Sequence, residues 1–554
     1  YLMPPLAMIL NCWSITVIFQ SLLIRSIWRK YRIRACRNRY PLIAMKLIRK
    51  IIHLPVYPLF LAAYAVLALL LYNISEVRAA AAIRPVLVSL LVVLIIFILF
   101  RFLYHAWHRA AFATFFFVLL FFTYGHVYQL LGKQFPSLPR FPWIIILWLV
   151  LGLGGLFWAA RGKSNFDKTA MVLNLLSLGL LVFVIVQIAI YSKPNPTNEP
   201  ADESAPMKEL SLPTGETPPD IYYIIIDSYG RSDLLKRAFN YDNSQFLQNL
   251  RDMGFYVADC TQSNYNRTDV SMASSLNLDY LQNLSPAYQP PSQSRRTLWA
   301  SIENSAVRIM LENAGYTSIA FTTGFAWSEI DDSDMFLAPD SMGQSLSSFE
   351  VLFLRTTPAL YLERLEWINL AELDGQYFRE RTLYILDSMD DLAHREEPTF
   401  AFIHILPPHP PFVFASDGSF TDPAPFMTED GRYTSVSYKQ GYRSQVEYIT
   451  GQLEAAVRTL LAESSTPPII LLQGDHAPWL QSGEGKFLIL NAYYLPDHSD
   501  IAYPSISPVN TFRLIFNTYF GTDYELLPDI SYYSPVPIIY EFEKIPNPCM
   551  DGSD

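Results

Sequence analysis

Ile221-Tyr222-Tyr223-Ile224-Ile225-Ile226 runs without interruption into Asp227-Ser228-Tyr229-Gly230. No charged or small polar residue alternates with the bulky ones. The stretch therefore reads as a strand buried on both faces, the kind found inside a mainly parallel sheet. Phe400-Ala401-Phe402-Ile403-His404-Ile405-Leu406 and Pro468-Ile469-Ile470-Leu471-Leu472-Gln473 read the same way, and Gly254–Ala258 and Thr317–Thr322 add two shorter strands. Helical spacing falls between them, over Phe246–Met253, Ser301–Ala314, Arg379–Leu392 and Tyr442–Leu461. Buried strands alternating with helices predict an α/β domain with a mainly parallel central sheet over residues 219–554.

Outward from this domain the composition changes twice. Residues 192–218 interleave Pro194, Pro196, Pro200, Pro206, Pro213 and Pro218 with Asn, Glu, Ser and Thr, a composition that predicts a semi-extended linker. Residues 54–191 hold five apolar runs, at about 54–73, 84–104, 110–131, 142–160 and 170–191. Each approaches the roughly 20 residues needed to cross a bilayer core, so a five-helix transmembrane domain is expected. Residues 1–53 form a basic segment with a marginal apolar run near 6–23, and its charges follow that run instead of preceding it, a poor fit to a signal peptide. Met45-Lys46-Leu47-Ile48-Arg49-Lys50 leads straight into the first good span and is the expected native start.

Charge sets the orientation. The basic block before residue 54, Arg101 and Arg109 in the second connection, and Arg161, Lys163 and Lys168 in the fourth make the N-terminal side cytoplasmic by the positive-inside rule. Five crossings then put residues 219–554 outside the cytoplasm. The net charge of −10 and the lack of a basic stripe in that part argue against a nucleic-acid partner. The four cysteines, Cys12, Cys36, Cys260 and Cys549, are too scattered for a zinc ribbon; Cys260 and Cys549 either pair in an oxidising compartment or remain free thiols.

The chemistry collects at strand ends. Asp227 follows the first strand, Pro407-Pro408-His409-Pro410-Pro411 follows the fourth, and Gly474-Asp475-His476 follows the fifth. Open α/β sheets bind ligands beyond the carboxyl ends of their strands. The remaining piece is Ser263-Asn264-Tyr265-Asn266-Arg267-Thr268-Asp269-Val270-Ser271, polar and turn-like until a helix opens at about Thr268. A helix N-terminus favours an anion, and Thr268 there is either an ordinary cap or a hydroxyl nucleophile. Two carboxylates, an imidazole and a hydroxyl suit a hard or borderline divalent cation, which would activate an otherwise unreactive threonine. His404, on its apolar strand, reads as a core residue. Asn266-Arg267-Thr268 also matches the Asn-x-Thr glycan acceptor, a pattern common by chance.

Asp227, Thr268-x-x-Ser271, His409-Pro410 and Gly474-Asp475-His476, in this order, resemble the alkaline phosphatase/sulfatase superfamily. The layout of spans, linker and outward α/β domain is similar to lipoteichoic acid synthases and lipid A phosphoethanolamine transferases. Leu490-Asn491-Ala492-Tyr493-Tyr494-Leu495-Pro496 and Ser507-Pro508-Val509-Asn510-Thr511-Phe512-Arg513 resemble bacterial sulfatase-like membrane proteins. The resemblance implies Thr268 as covalent nucleophile, with Asp227, Thr268, Asp475 and His476 as ligands of one divalent ion. That ion would be manganese, magnesium or zinc, with calcium a further candidate. It implies His409 as a substrate or leaving-group contact. Trp327, in Gly324-Phe325-Ala326-Trp327, stands roughly where the synthases have an aromatic substrate contact or is a packing residue, and Asn264 is a second candidate contact. The chain departs from sulfatases in lacking the Cys-x-Pro-x-Arg motif that yields formylglycine, which favours a phosphorus ester.

The expected function is therefore a membrane-anchored, metal-dependent phosphotransferase or phosphohydrolase acting through Thr268 on phospholipid headgroups or phosphorylated envelope glycans. Its rivals are a sulfuric or phosphoric ester hydrolase with water as acceptor, and an inactive envelope sensor or scaffold.

Overall fold

The computed structural model describes residues 54–134, 140–162, 166–192, 207–212, 217–340, 346–427, 433–536, 538–547 and 549. The basic N-terminal segment, the Met45 start and most of the Pro-rich linker lie outside them. The chain divides into two compact units: Tyr1–Lys193 with Ser348–Leu370, and Pro194–Ser347 with Ala371–Asp554.

The first unit holds helices α1 (Tyr57–Tyr72), α2 (Ile83–Tyr104), α3 (Trp107–Gln134), α4 (Arg140–Arg161) and α5 (Phe166–Ser192). Four apolar stretches, Ala79–Tyr104, Trp107–Gly132, Trp143–Arg161 and Lys168–Tyr191, are long enough to cross a membrane. At 16 residues, α1 is shorter than the roughly 20 a straight span requires. The five expected spans are thus four of full length and one short apolar helix. Ala62, Ala110, Ala111, Ala113 and Ala170 are buried where helices meet, because small side chains let apolar helices approach without a hydrophobic drive from water. Large residues such as Leu87, Leu99, Phe102 and Leu103 face outward. Arg109 donates to the carbonyls of Ala159 and Gly162, at 3.2 and 3.3 Å, which puts the second and fourth connections at the same end of this unit.

The second unit is built on a seven-stranded sheet. Its strands are β1 (Ile221–Ile226), β2 (Tyr256–Val257), β3 (Thr317–Phe321), β4 (Met335–Leu337), β5 (Thr399–Ile405), β6 (Ile469–Gly474) and β7 (Asn491–Tyr494), in the order β2-β7-β6-β1-β5-β3-β4. The five central and adjoining strands from β6 to β4 are parallel, and β7 runs against both of its neighbours. The expected mainly parallel sheet is present; β4 and β7 are additions to it.

Alternate residues of β1 feed two cores. Ile221, Tyr223 and Ile225 face a layer containing α6 (Thr268–Ser275) and α8 (Pro508–Tyr519). Tyr222, Ile224 and Ile226 face α7 (Ser435–Glu463). Both faces are covered, which is why the strand sequences show no alternation. Two expected helices are divided. Ser305 caps a new helix by accepting from the Arg308 amide, so Ser301–Ala314 breaks into Arg295–Glu303 and Ala306–Asn313. The Arg379–Leu392 pattern falls on Leu370–Asp387 and Met389–Ala393. The end of the linker is not free either: Ser211 donates to the Phe520 carbonyl at 3.1 Å, and Leu210 and Leu212 pack on the core.

Cys260 and Cys549 form a disulfide across 289 positions of chain, resolving the choice that composition left open. Asn547 reinforces it with a 3.1 Å bond to the Cys260 carbonyl. Closing so long a loop restricts the unfolded chain. Cys549→Ser is expected to cost about 2–4 kcal/mol, read as a lower thermal midpoint. Reductant should lower the midpoint of the parent chain and leave that of the variant unchanged.

Candidate active site

Strand register assembles the site. Ile226 stands level with Ile405 on one side and Gly474 on the other, so β5, β1 and β6 reach their carboxyl ends together. Asp227 and Asp475 are each one residue further on and leave the sheet at the same height. They share the parity of Ile225 and Gln473, and therefore the face that α6 covers. Gly474 is needed for this convergence, because a Cβ there would stand 2.5 Å from the Tyr229 carbonyl oxygen. Ser228 takes a left-handed backbone, φ 62°, which a serine adopts only where its surroundings impose it. The Tyr442 hydroxyl of α7 imposes it, donating to the Ser228 carbonyl at 2.8 Å.

The carboxylates are held in different ways. Asp475 Oδ1 accepts from the backbone amides of Ser228 and His476, both at 2.8 Å. Its Oδ2 is buried without a hydrogen-bond partner. Asp227 Oδ1 accepts from the Ser228 hydroxyl at 2.9 Å, and Oδ2 lies 3.7 Å from His404 Nε2. A carbonyl oxygen can only accept, so the 2.8 Å contact of His476 Nδ1 with the Ala477 carbonyl puts a proton on Nδ1. In the neutral ring the Nε2 lone pair then faces inward, 3.5 Å from Asp475 and 3.8 Å from Asp227. The same argument places a proton on His409 Nδ1, which donates to the Pro410 carbonyl at 2.7 Å.

Ligand atoms of Asp227, Asp475 and His476 lie within 4.8 Å of one another. Two buried carboxylates at that separation repel and are poorly solvated, so a shared positive charge stabilises them. The orphaned Asp475 oxygen, the inward Nε2 and the acidic pair fit a divalent cation. Burial acts to raise the Asp227 carboxyl, but His409, His404 and His476 overcome it and hold the group well below the usual range. For Asp475, burial and the neighbouring Asp227 charge win, and its pKa is raised. Burial lowers His476, yet Asp475 and Asp227 outweigh it and leave the imidazole raised.

Thr268 completes the group. Its Oγ1 lies 3.1 Å from His476 Nε2, at the first position of α6, whose N-cap Arg267 makes no side-chain cap bond. Beside it, buried Asp269 is bracketed by Arg267 and Arg295, at 3.3 and 2.8 Å. The preceding loop is fastened by residues far downstream. Asn264 Oδ1 accepts from the Val509 amide at 2.8 Å, and the Asn264 carbonyl from the Tyr532 amide at 2.8 Å. Asn266 exchanges bonds with Ser534 through both ends of its amide.

No protein-family profile matches the chain, and no curated protein matches it. Solved structures do align with it. The C-terminal periplasmic domain of EcEptC from Escherichia coli covers 59% of this chain and 93% of its own, at 10% identity and a TM-score of 0.38. The integral membrane lipooligosaccharide phosphoethanolamine transferase A (EptA) from Neisseria meningitidis covers 83% and 93%, at 13% identity and a TM-score of 0.36. BT1596, a 2-O GAG sulfatase, covers 57% and 77%, at 11% identity and a TM-score of 0.34. Each likeness is distant.

The remaining residues singled out in the sequence divide. Asp227, Thr268, Asp475 and His476 come together as described, and His409 is close enough for its charge to act on Asp227. Trp327 is buried, its ring centroid 5.6 Å from that of His404, so it packs behind the group. Asn264 is buried with its amide spent on Ser507, Ile530 and Val509, an architectural placement. Two participants were not singled out. His404, a lone ionisable residue in an all-apolar strand, lies against Asp227. Gln445 of α7 donates to the His409 carbonyl at 3.0 Å and accepts from the Val413 amide at 2.9 Å, fixing the loop that bears His409. No local pattern marks Gln445, which looks like any polar helix position.

Adding manganese, magnesium or zinc to chelated protein should raise the thermal midpoint. A hundredfold excess over Kd corresponds to about 2.7 kcal/mol. Asp475→Asn should lose that rise yet be no less stable than the chelated parent, since it removes a repulsive charge. The raised His476 binds its proton more tightly in the folded state. In chelator, its contribution is fully present below the unfolded value of about 6.5 and lost as pH rises through the folded one. With metal the trend should reverse, because protons compete for the same ligands.

Proposed function

We propose that the chain is a metal-dependent phosphotransferase or phosphohydrolase carried on membrane-spanning helices. Its active site would be extracytoplasmic and would act through Thr268 on phospholipid headgroups or phosphorylated envelope glycans. What supports this reading above all is the Thr268 hydroxyl, 3.1 Å from His476 Nε2 at the lip of the Asp227–Asp475–His476 cluster. The basic connections, with Arg109 bonded across to the end of α4, support the orientation. Asp227, Asp475 and His476 would hold the ion. A divalent cation bound there supplies Lewis-acid stabilisation of the charge on the attacking oxygen and the transferring group.

The protein's own groups carry the rest. Thr268 Oγ1, its proton lost to solvent, attacks phosphorus in line. An Oγ1–P bond forms as the bond from phosphorus to the leaving oxygen breaks. His409 already bears a proton on Nδ1, so its imidazolium form donates from Nε2 to the departing oxygen. The neutral ring then takes a proton at Nε2 from the incoming hydroxyl of a sugar, lipid or water. That oxygen displaces Oγ1 from phosphorus, and Oγ1 recovers a proton from solvent. Thr268-Asp269-Val270-Ser271 offers no cysteine for conversion to formylglycine, which favours phosphorus over sulfate esters.

The test is mass spectrometry of the Thr268 peptide after the full chain has been exposed to phosphatidylethanolamine. A phosphate-ester adduct is expected on the parent and not on Thr268→Ala. Turnover of that variant should fall by at least ~10³-fold with the fold intact. Unchanged turnover in Thr268→Ala, or turnover indifferent to chelator, would sink the mechanism.

A further inference from the structure

Ser348–Leu370 lies in sequence between β4 and the remainder of the α/β unit, yet it belongs to the helical unit. It forms two short helices, Ser348–Arg355 and Ala359–Arg364. Phe349, Leu352 and Phe353 are buried in one cluster with Leu69 and Leu70 of α1, Val93 of α2, and Val118 and Phe122 of α3. The rings of Phe353 and Phe122 are 5.3 Å apart. Leu360 joins Tyr124, Tyr128 and Ile144, and the buried Glu350 pairs with Arg84 at the start of α2.

Backbone contact is equally close. The Gly125 amide, inside α3, donates to the Thr356 carbonyl at 2.8 Å. A Cβ on Gly125 would stand 2.0 Å from the Arg355 carbonyl oxygen, so only glycine permits the approach. These partners run from one end of the unit towards its middle: the end of α1, the first half of α2, the middle of α3 and the start of α4. That end is opposite the basic connections. Gly125 precedes the end of α3 at Gln134 by about 13 Å of helix rise, so the segment reaches well down the spans.

Among the described residues, part of this segment is exposed. Glu366 turns left-handed, φ 58°, and the Trp367 amide bonds back to the Leu362 carbonyl at 3.1 Å, a Schellman-type helix stop. That stop presents Trp367 at 73% exposure, with Leu362, Leu365 and Ile368 half-buried around it. An indole held outward at the end of an apolar bundle suits the headgroup–acyl boundary, where its amphipathic ring is favoured.

We propose that Ser348–Leu370 is a membrane-seated insert and that Trp367, with Leu362, Leu365 and Ile368, docks on phospholipid at that boundary. The occupant follows from continuity: the segment packs into helices whose outward faces carry Leu87, Leu91 and other apolar residues suited to lipid. This surface does not depend on the catalytic reading.

Site-directed spin labelling tests it. The full chain, with Cys12→Ser and Cys36→Ser and the disulfide retained, is labelled at Trp367→Cys and placed in phosphatidylethanolamine/phosphatidylglycerol nanodiscs. Val436→Cys, at 78% exposure on α7, is the aqueous control. The ratio of oxygen to nickel-chelate accessibility should be several-fold higher at 367 than at 436. Equal ratios would place Trp367 in water and overturn the proposal. So would low accessibility to both reagents, which means protein covers it, or dipolar broadening between labels, which means a second copy does.

Discussion

Two carboxylates brought to one buried spot govern the α/β unit. Asp227 and Asp475 repel, and neither would be tolerated there without a frame that forces them together and partners that offset their charge. The frame is the common end of β5, β1 and β6. The Asp475 backbone bonds, the left-handed Ser228 and the Tyr442 prop hold both acids in register with it. The offset comes from His404, His409 and His476 around Asp227. Free energy spent in this way destabilises the metal-free fold locally, as expected of a site preorganised for a cation.

Much of this was legible in the chain because buried parallel strands advertise themselves. Ile221–Ile226 and Ile469–Gly474 are continuous bulky runs, and a charged residue directly after such a run has few places to go but the sheet's ligand-binding edge. What could not be read depends on contacts between distant elements. Met335–Leu337 and Asn491–Tyr494 are too short for periodicity to identify as strands. His404 looks like a core histidine until Asp227 is seen 3.7 Å away. Asn264 sits in the right loop, but most of the residues that bind its amide are more than 240 positions downstream. Trp327 shares that ambiguity, since an aromatic near a site lines it or backs it according to a rotation that sequence does not encode.

The helical unit teaches a related lesson. Apolar runs identify the spans, but nothing in hydropathy assigns Ser348–Leu370 to them, because the segment is short, mixed in polarity and lies between β4 and the helix Leu370–Asp387. Its placement rests on Gly125, one glycine inside an apolar helix whose missing side chain makes room for a backbone. The chain consequently passes between the two units at 193, 347 and 370, where composition pointed to a single linker.

The fastening of the Thr268 loop has a consequence for the order in which the molecule can become competent. Asn264 and Asn266 are bound by Val509, Tyr532 and Ser534, and Cys260 by Cys549, all made after every other element of the site. A nascent chain that has translated Asp475 and His476 therefore holds each residue of the candidate site but not the contacts that fix the Thr268 loop. The loop is fixed only after residues 509–549 have been made and in an environment that forms disulfides. The Thr268 loop therefore reaches its final shape only once the α/β unit is complete.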